Sequence, residues 1–236
     1  MKCSAVIASG ISLQMRQFFA KTGTDVLSFP DNPNVEKRVA HHSDLSFFFD
    51  GQDTLFIANE MAEYQSELEK YCRNVVVISE KLGQKYPRDV LLNCVVTGKY
   101  FICNPDTVSR EIYEKMIDDG YEIVSVRQGY TKCSVLTVSE NAIITDDNSI
   151  ATHCMQVGMD VLEVSKGSVT LNGFNYGFIG GTAGKISDTQ IVFNGDITKH
   201  SDYEKIHQFL QKYGVSEVSF DGDLVDIGSI IPIGGK

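Results

Sequence analysis

Three residues of this 236-residue chain, Cys133, His42 and Asp44, are of the types from which nucleophilic chemistry is built. Cys133 follows Lys132, a cation that would lower a thiol pKa and expose a thiolate, the form in which sulfur attacks. His42 can accept and deliver a proton near neutral pH. Asp44, two residues on, shares its face if a strand has begun there. Asp223 and Asp226 stand at the approach to the last apolar run, and with Asp44 they offer carboxylates from distant parts of the chain. If those approaches converge, a cationic amidine or guanidinium would satisfy them through paired N–H bonds; without a cation, their repulsion would raise at least one pKa. Plainer readings stand beside these. A strand Cys is commonly a buried, inert thiol. His41 and His42 fit a surface pair, the aspartates fit turn caps, and a divalent metal would compete for the same oxygens. His153, His200 and His207 lie in or beside predicted helices and are weaker candidates.

The elements that must position these residues come as a repeated unit. Residues 131–164 hold one complete copy: a strand 133–139, a turn at Glu140 and Asn141, and a second strand 142–145. Asp147 or Asn148 then caps a helix 149–157, Gly158 ends it in the left-handed conformation, and a third strand follows at 160–164. The same order recurs in 42–79, 89–126 and 180–220. A fifth copy is split between the ends of the chain: 226–233 supplies its first strand, and 4–8, the helix 12–22, Gly23 and 25–29 supply the rest. Such units cannot bury their faces singly, and one shared by the two termini favours radial closure over an open solenoid. The expectation is an α/β fold of five ββαβ blades in one closed domain spanning 1–236, with the Phe47-Phe48-Phe49 run packed in its core.

Composition narrows the function classes. With 42% hydrophobic and 22% charged residues the chain is an ordinary globule with apolar material for a large core. Its net charge of −10 disfavours nucleic acid phosphates and anionic membranes as partners, while small cations remain compatible. Residues 1–19 lack a signal-peptide pattern and no segment has the length to cross a bilayer, so a cytoplasmic location is expected. The six cysteines form no CxxC pair, which points to neither a zinc site nor a disulfide framework. The glycine-rich stretch 166–184 leads into a strand and not a helix; it supports no dinucleotide or phosphate loop, and close backbone packing is the preferred reading. No cofactor is implied.

Five ββαβ units with a last unit shared by the termini resemble the pentein propeller of the guanidino-group-modifying enzymes. The stretch Thr131-Lys132-Cys133-Ser134-Val135-Leu136 resembles the Cys-Ser-Val-Leu segment around the nucleophile of dimethylarginine hydrolases, and His42-Ser43-Asp44 resembles the His-x-Asp motif of the deiminases. The resemblance implies attack of Cys133 on a guanidinium carbon, His42 as acid and base, and Asp44, Asp223 and Asp226 as substrate-gripping carboxylates. Two features depart from it. The family usually carries its Cys in the final blade, where this chain has Asp226-Ile-Gly-Ser-Ile-Ile-Pro232, and the Glu-Gly-Gly-Asp type of segment is missing. Two functions therefore stand: an amidinohydrolase or amidinotransferase acting on a small cationic guanidino or amidino compound, and a non-catalytic propeller that binds a ligand or a protein, a fold relation that a ribosome-associating translation factor illustrates.

Overall fold

The computed structural model describes residues 3–234. Among them are fifteen strands in five three-stranded sheets, with seven α-helices and three short 3-10 helices. The chain opens with β1 (Ala5–Ile7), α1 (Leu13–Thr22) and β2 (Asp25–Leu27). A helical turn α2 (Ser43–Ser46) leads into β3 (Phe47–Phe49) and β4 (Thr54–Ile57), and after α3 (Gln65–Leu68) comes β5 (Asn74–Val77). The next unit is β6 (Val95–Thr97), β7 (Tyr100–Cys103), α4 (Arg110–Asp118) and β8 (Glu122–Ser125). It is followed by α5 (Thr131–Ser134), β9 (Val135–Ser139), β10 (Ala142–Thr145), α6 (Asn148–Gln156) and β11 (Asp160–Glu163). A 3-10 turn at Gly180–Thr182 opens the unit of β12 (Ala183–Ser187), β13 (Gln190–Phe193), α7 (Tyr203–Lys212) and β14 (Ser216–Val218). The last strand, β15 (Ile231–Ile233), returns to pair with β1.

Every sheet obeys one rule. Its first strand is antiparallel to its second, and the second is parallel to its third. A parallel pair needs a crossover, which is why one helix stands between the second and third strand of each unit. Local chemistry sets the crossover ends: the Ser12 hydroxyl accepts from Met15 N at 3.2 Å, the Asp147 carboxylate accepts from Ile150 N at 3.0 Å, and Gly23 and Gly158 turn the chain at φ 68° and 86°. The stretch 59–68 departs from expectation. It forms a 3-10 helix (Asn59–Tyr64) followed by the single turn α3.

Neighbouring units touch through their first strands, β3 with β15, β15 with β12, β12 with β9 and β9 with β6. Phe48 of β3 meets Phe101 of β7 with ring centroids 5.9 Å apart, and both rings are buried. Phe47 and Phe48 are thus core residues, as their strand position implies. The glycine-rich approach to β12 is close-packed too: a Cβ on Gly180 would lie 2.4 Å from Val135 O, and one on Gly181 would lie 2.0 Å from the Asp226 carboxylate. Among the described residues no helix is long and apolar enough to cross a membrane.

Candidate active site

The approaches to the five first strands end in one buried polar cluster. Asp44 comes from α2, Asn93 from the turn before β6, Cys133 from α5, Gly181 from the turn before β12, and Ser229 from the bend before β15. Sequence reading put Cys133 at the start of a strand and left open whether one begins by Asp44. Both instead lie in helical turns one to three residues before the strands begin. The α5 turn is closed by Ser134 N donating to Tyr130 O at 3.1 Å. Its exposed N–H groups are capped from another unit, since Asn93 Oδ1 accepts from Lys132 N at 2.7 Å and from Cys133 N at 3.3 Å.

Asn93 also donates through Nδ2 to Cys133 Sγ at 3.2 Å and to Asp44 O at 3.1 Å. The thiol in turn donates to Asp44 Oδ2 at 3.1 Å. The same oxygen accepts the Ser229 hydroxyl at 2.6 Å, and Lys132 Nζ donates to Ser229 Oγ at 3.2 Å. His42 lies on the other side, its Nδ1 3.8 Å from Asp226 Oδ1. Asp226 is held by backbone donors, Phe178 N at 2.9 Å and Gly228 N at 3.0 Å. Two buried atoms, His42 Nε2 and Asp44 Oδ1, have no hydrogen-bond partner among the described residues. Buried polar atoms are rarely left so, and each is a place for a ligand donor or acceptor.

Cys133, His42 and Asp226 line one cavity of about 300 Å³, closed by Leu45 and by the aromatic rings of Tyr130 and the 171–178 segment. Asp44 is fully buried behind them. Four of the five expected site residues are thus brought together. Asp223 is not: it is exposed and pairs with Lys199 Nζ at 2.8 Å. Its backbone carbonyl packs against Gly195, where a Cβ would lie 2.0 Å from it.

The electrostatics correct a second expectation. Lys132 does not acidify the thiol; burial pushes the Cys133 pKa well above its ordinary value, and Asp44 and Asp226 add to the rise. Burial also raises Asp44, and it raises Asp226 to about 6. It lowers Lys132, against the pull of Asp44. His42 falls to about 4, again by burial, and is a neutral imidazole at pH 7. The resting cluster is therefore a protonated thiol and a neutral imidazole beside two buried carboxyl groups. Donor atoms of His42, Asp44 and Cys133 lie within 4.8 Å of one another, so these three are also the residues that could hold a metal ion. Sequence reading passed over Asn93, Tyr130 and Ser229. Asn93 falls inside 91–96, a stretch whose residues read as a strand, whereas the strand begins only at Val95.

No curated protein matches the sequence. Among solved structures the chain is similar to DDAH from Pseudomonas aeruginosa, a mutant complexed with citrulline, at 9% identity and a TM-score of 0.58, covering 94% of this chain and 93% of that one. It is similar to SxtG, an amidinotransferase from Microseira wollei in the saxitoxin biosynthetic pathway, at 9% identity and a TM-score of 0.55, covering 88% and 73%. C. jejuni agmatine deiminase follows at 11% identity and a TM-score of 0.50, covering 92% and 75%. The fold is accordingly the α/β pentein fold of the guanidino-group-modifying enzymes. Residues 6–231 match the sequence profile of DUF6873, and the chain belongs to that family of unknown function.

Proposed function

We propose that the cavity binds a small cationic guanidino or amidino compound and that Cys133 attacks its central carbon, making the protein an amidinohydrolase or amidinotransferase. The observation that carries this reading is the convergence of Cys133, His42 and Asp226 on one cavity with Asp44 hydrogen-bonded to the thiol. A cation seated against Asp226 lowers the thiol pKa by direct attraction. The Cys133 proton passes along its hydrogen bond to Asp44, and the sulfur forms a bond to the guanidinium carbon. The departing amine leaves with its electron pair and takes a proton, which Asp44 can return. Water or an acceptor amine then attacks the same carbon and the C–S bond breaks with its electrons returning to sulfur, while His42 Nε2, neutral and unpartnered, is placed to take the nucleophile's proton and pass it to the thiolate. The contacts that run from β3 through β15, β12 and β9 to β6, with Phe48 against Phe101, support reading the five sheets as blades of a closed propeller with this cavity at its axis. The chain's acidity and the lack of any disulfide among its described cysteines support a cytoplasmic setting.

The second reading, a ligand-binding propeller without catalysis, is favoured by one observation: the resting thiol is strongly protonated. Mass-spectrometric labelling of the folded protein separates the two. A haloacetamidine should modify Cys133 faster than iodoacetamide does, and the preference should weaken in His42→Ala and vanish in Cys133→Ala. Equal rates for the two reagents would reject the nucleophile and leave the binding reading.

A further inference from the structure

The lining of the cavity says what kind of tail the ligand carries. Beyond the polar floor its wall is aliphatic and aromatic, Val39, Leu171, Tyr130, Phe174, Tyr176 and Phe178, with the Asn175 amide its one wholly polar side chain. No Lys or Arg stands in that lining. Lys132, beside the polar floor, is bound to Ser229, and two further cations stand against rings of the wall. Arg38 lies 4.2 Å over the Phe174 ring, donates to Gly173 O at 2.7 Å and to Glu36 Oε1 at 2.8 Å. Lys166 Nζ lies 5.6 Å over the Tyr176 ring.

A ligand with a carboxylate tail would have to bury that charge against aromatic rings with no basic partner in the lining, a cost of several kcal/mol for an unpaired ion. A second ammonium would likewise be buried against the rings, since Asp226 at the floor is the one carboxyl of the lining. An uncharged hydrocarbon tail meets neither penalty and gains by burial against the rings. Resting on the guanidino reading above, we propose that the site takes a monocationic guanidine or amidine bearing an uncharged, apolar tail, in preference to arginine-like or diamine-like compounds.

Isothermal titration of the unmodified protein with phenethylguanidine, agmatine, arginine and phenethylurea tests this without relying on Cys133 reactivity. Phenethylguanidine should bind at least about tenfold tighter than arginine or agmatine, a difference of about 1.4 kcal/mol. Phe174→Ala, at an exposed and tolerant position, should erase most of that advantage. Arg38→Met should raise agmatine affinity several-fold by removing a rim cation. Arginine or agmatine binding as tightly as phenethylguanidine would overturn the tail inference and leave the guanidino reading intact. Phenethylurea, the neutral isostere, binding as tightly as phenethylguanidine would overturn the guanidino reading itself, and failure of all four to bind would overturn both.

Discussion

Cys133 and Ser229 stand at the same register in two different sheets, each two residues before its first strand, yet they meet opposite surroundings. Both direct a proton to Asp44 Oδ2. Cys133 faces the cavity, whereas Ser229 is fully buried, does not line it, and is the one described non-glycine residue with positive φ, at 68°. The polar cluster therefore has an open side and a sealed side. On the sealed side Lys132 acts as an internal counter-ion, its ammonium bound to Ser229 and its stem lining a separate cavity of about 130 Å³ beside Phe47, Cys94 and Ile231. The register in the last unit holds a hydroxyl locked between a lysine and a carboxylate. The thiol stands in the open register, and the pair shows that one position of the repeat can face the cavity in one unit and be sealed from it in another.

The harshest way to break this arrangement is to crowd the bend that carries Ser229. Gly228 has φ 73°, and a Cβ there would lie 2.3 Å from His42 Cβ. Gly228→Ala should cost more than about 3 kcal/mol, combining backbone strain with a clash that moves His42. Gly158→Ala is the control, since its φ is 86° with nothing within 4 Å, and it should cost about 1–2 kcal/mol. Urea unfolding of both variants checks the contrast, and equal losses would show that the Gly228–His42 approach carries no weight.

Removing the internal counter-ion comes next. Lys132→Met strands Asp44 as a buried carboxylate and should destabilise by about 3 kcal/mol. Asp44→Asn added to it should recover part of the loss, so a double-mutant cycle should give a coupling above about 1 kcal/mol. Additive losses would mean that Lys132 and Asp44 do not sense each other through Ser229.

Two buried carboxyls, one at the cavity and one behind Ile179, carry a pH signature. Burial raises Asp146, which accepts from Ile179 N at 3.1 Å, to about 7, and Asp226 to about 6. A carboxyl whose folded pKa lies above its unfolded one binds its proton more tightly in the fold, so its contribution is lost as pH rises through the folded value. His42, lowered to about 4, has the opposite sign and loses its contribution only as pH falls below 6.5. Above pH 6.5 the His42 contribution is nearly complete, and the buried carboxyls dominate the change. Stability should fall between pH 6.5 and 8, by at most about 1.4 kcal/mol per pH unit for one group, and Asp146→Asn should flatten the curve. A thermal melting series that stays flat in the parent protein would remove Asp146 from this account.

How much of this was legible in the sequence follows the same division. The five units were readable because their punctuation is local: Ser12 and Asp147 bond to the helices they precede, and Gly23 and Gly158 stop them without help from elsewhere. The helix of the 131–164 unit, expected at 149–157, spans Asn148–Gln156. The approaches were misread because their caps are not local. Asn93 reaches Lys132 and Cys133 from a different sheet, and no signal near residue 133 announces a helical turn held from outside. The sign of the thiol shift was missed for a related reason. Lys132 is adjacent to Cys133 in the chain, but its ammonium is spent on Ser229, and burial decides the pKa. Asp223 and Asp226 look alike in sequence; only the fold shows that one meets Lys199 at the surface and the other meets two backbone amides at the cavity.

The smallest expected effect is the sharpest test of the open and sealed sides. Ser229→Cys places a second thiol at the register of Cys133, within reach of the same carboxylate. If access decides, this thiol should stay silent. Folded Ser229→Cys protein should show the labelling of the parent protein at Cys133 and none at position 229, and the combination with Cys133→Ala should react at position 229 only after denaturant is added. The left-handed backbone at 229 favours that outcome, because it is held by Ser229 N donating to Gly181 O at 2.9 Å and not by the side chain alone. A thiol at 229 that reacts with a haloacetamidine in the native protein would mean that the sealed side opens, and that the two registers are interchangeable homes for the nucleophile.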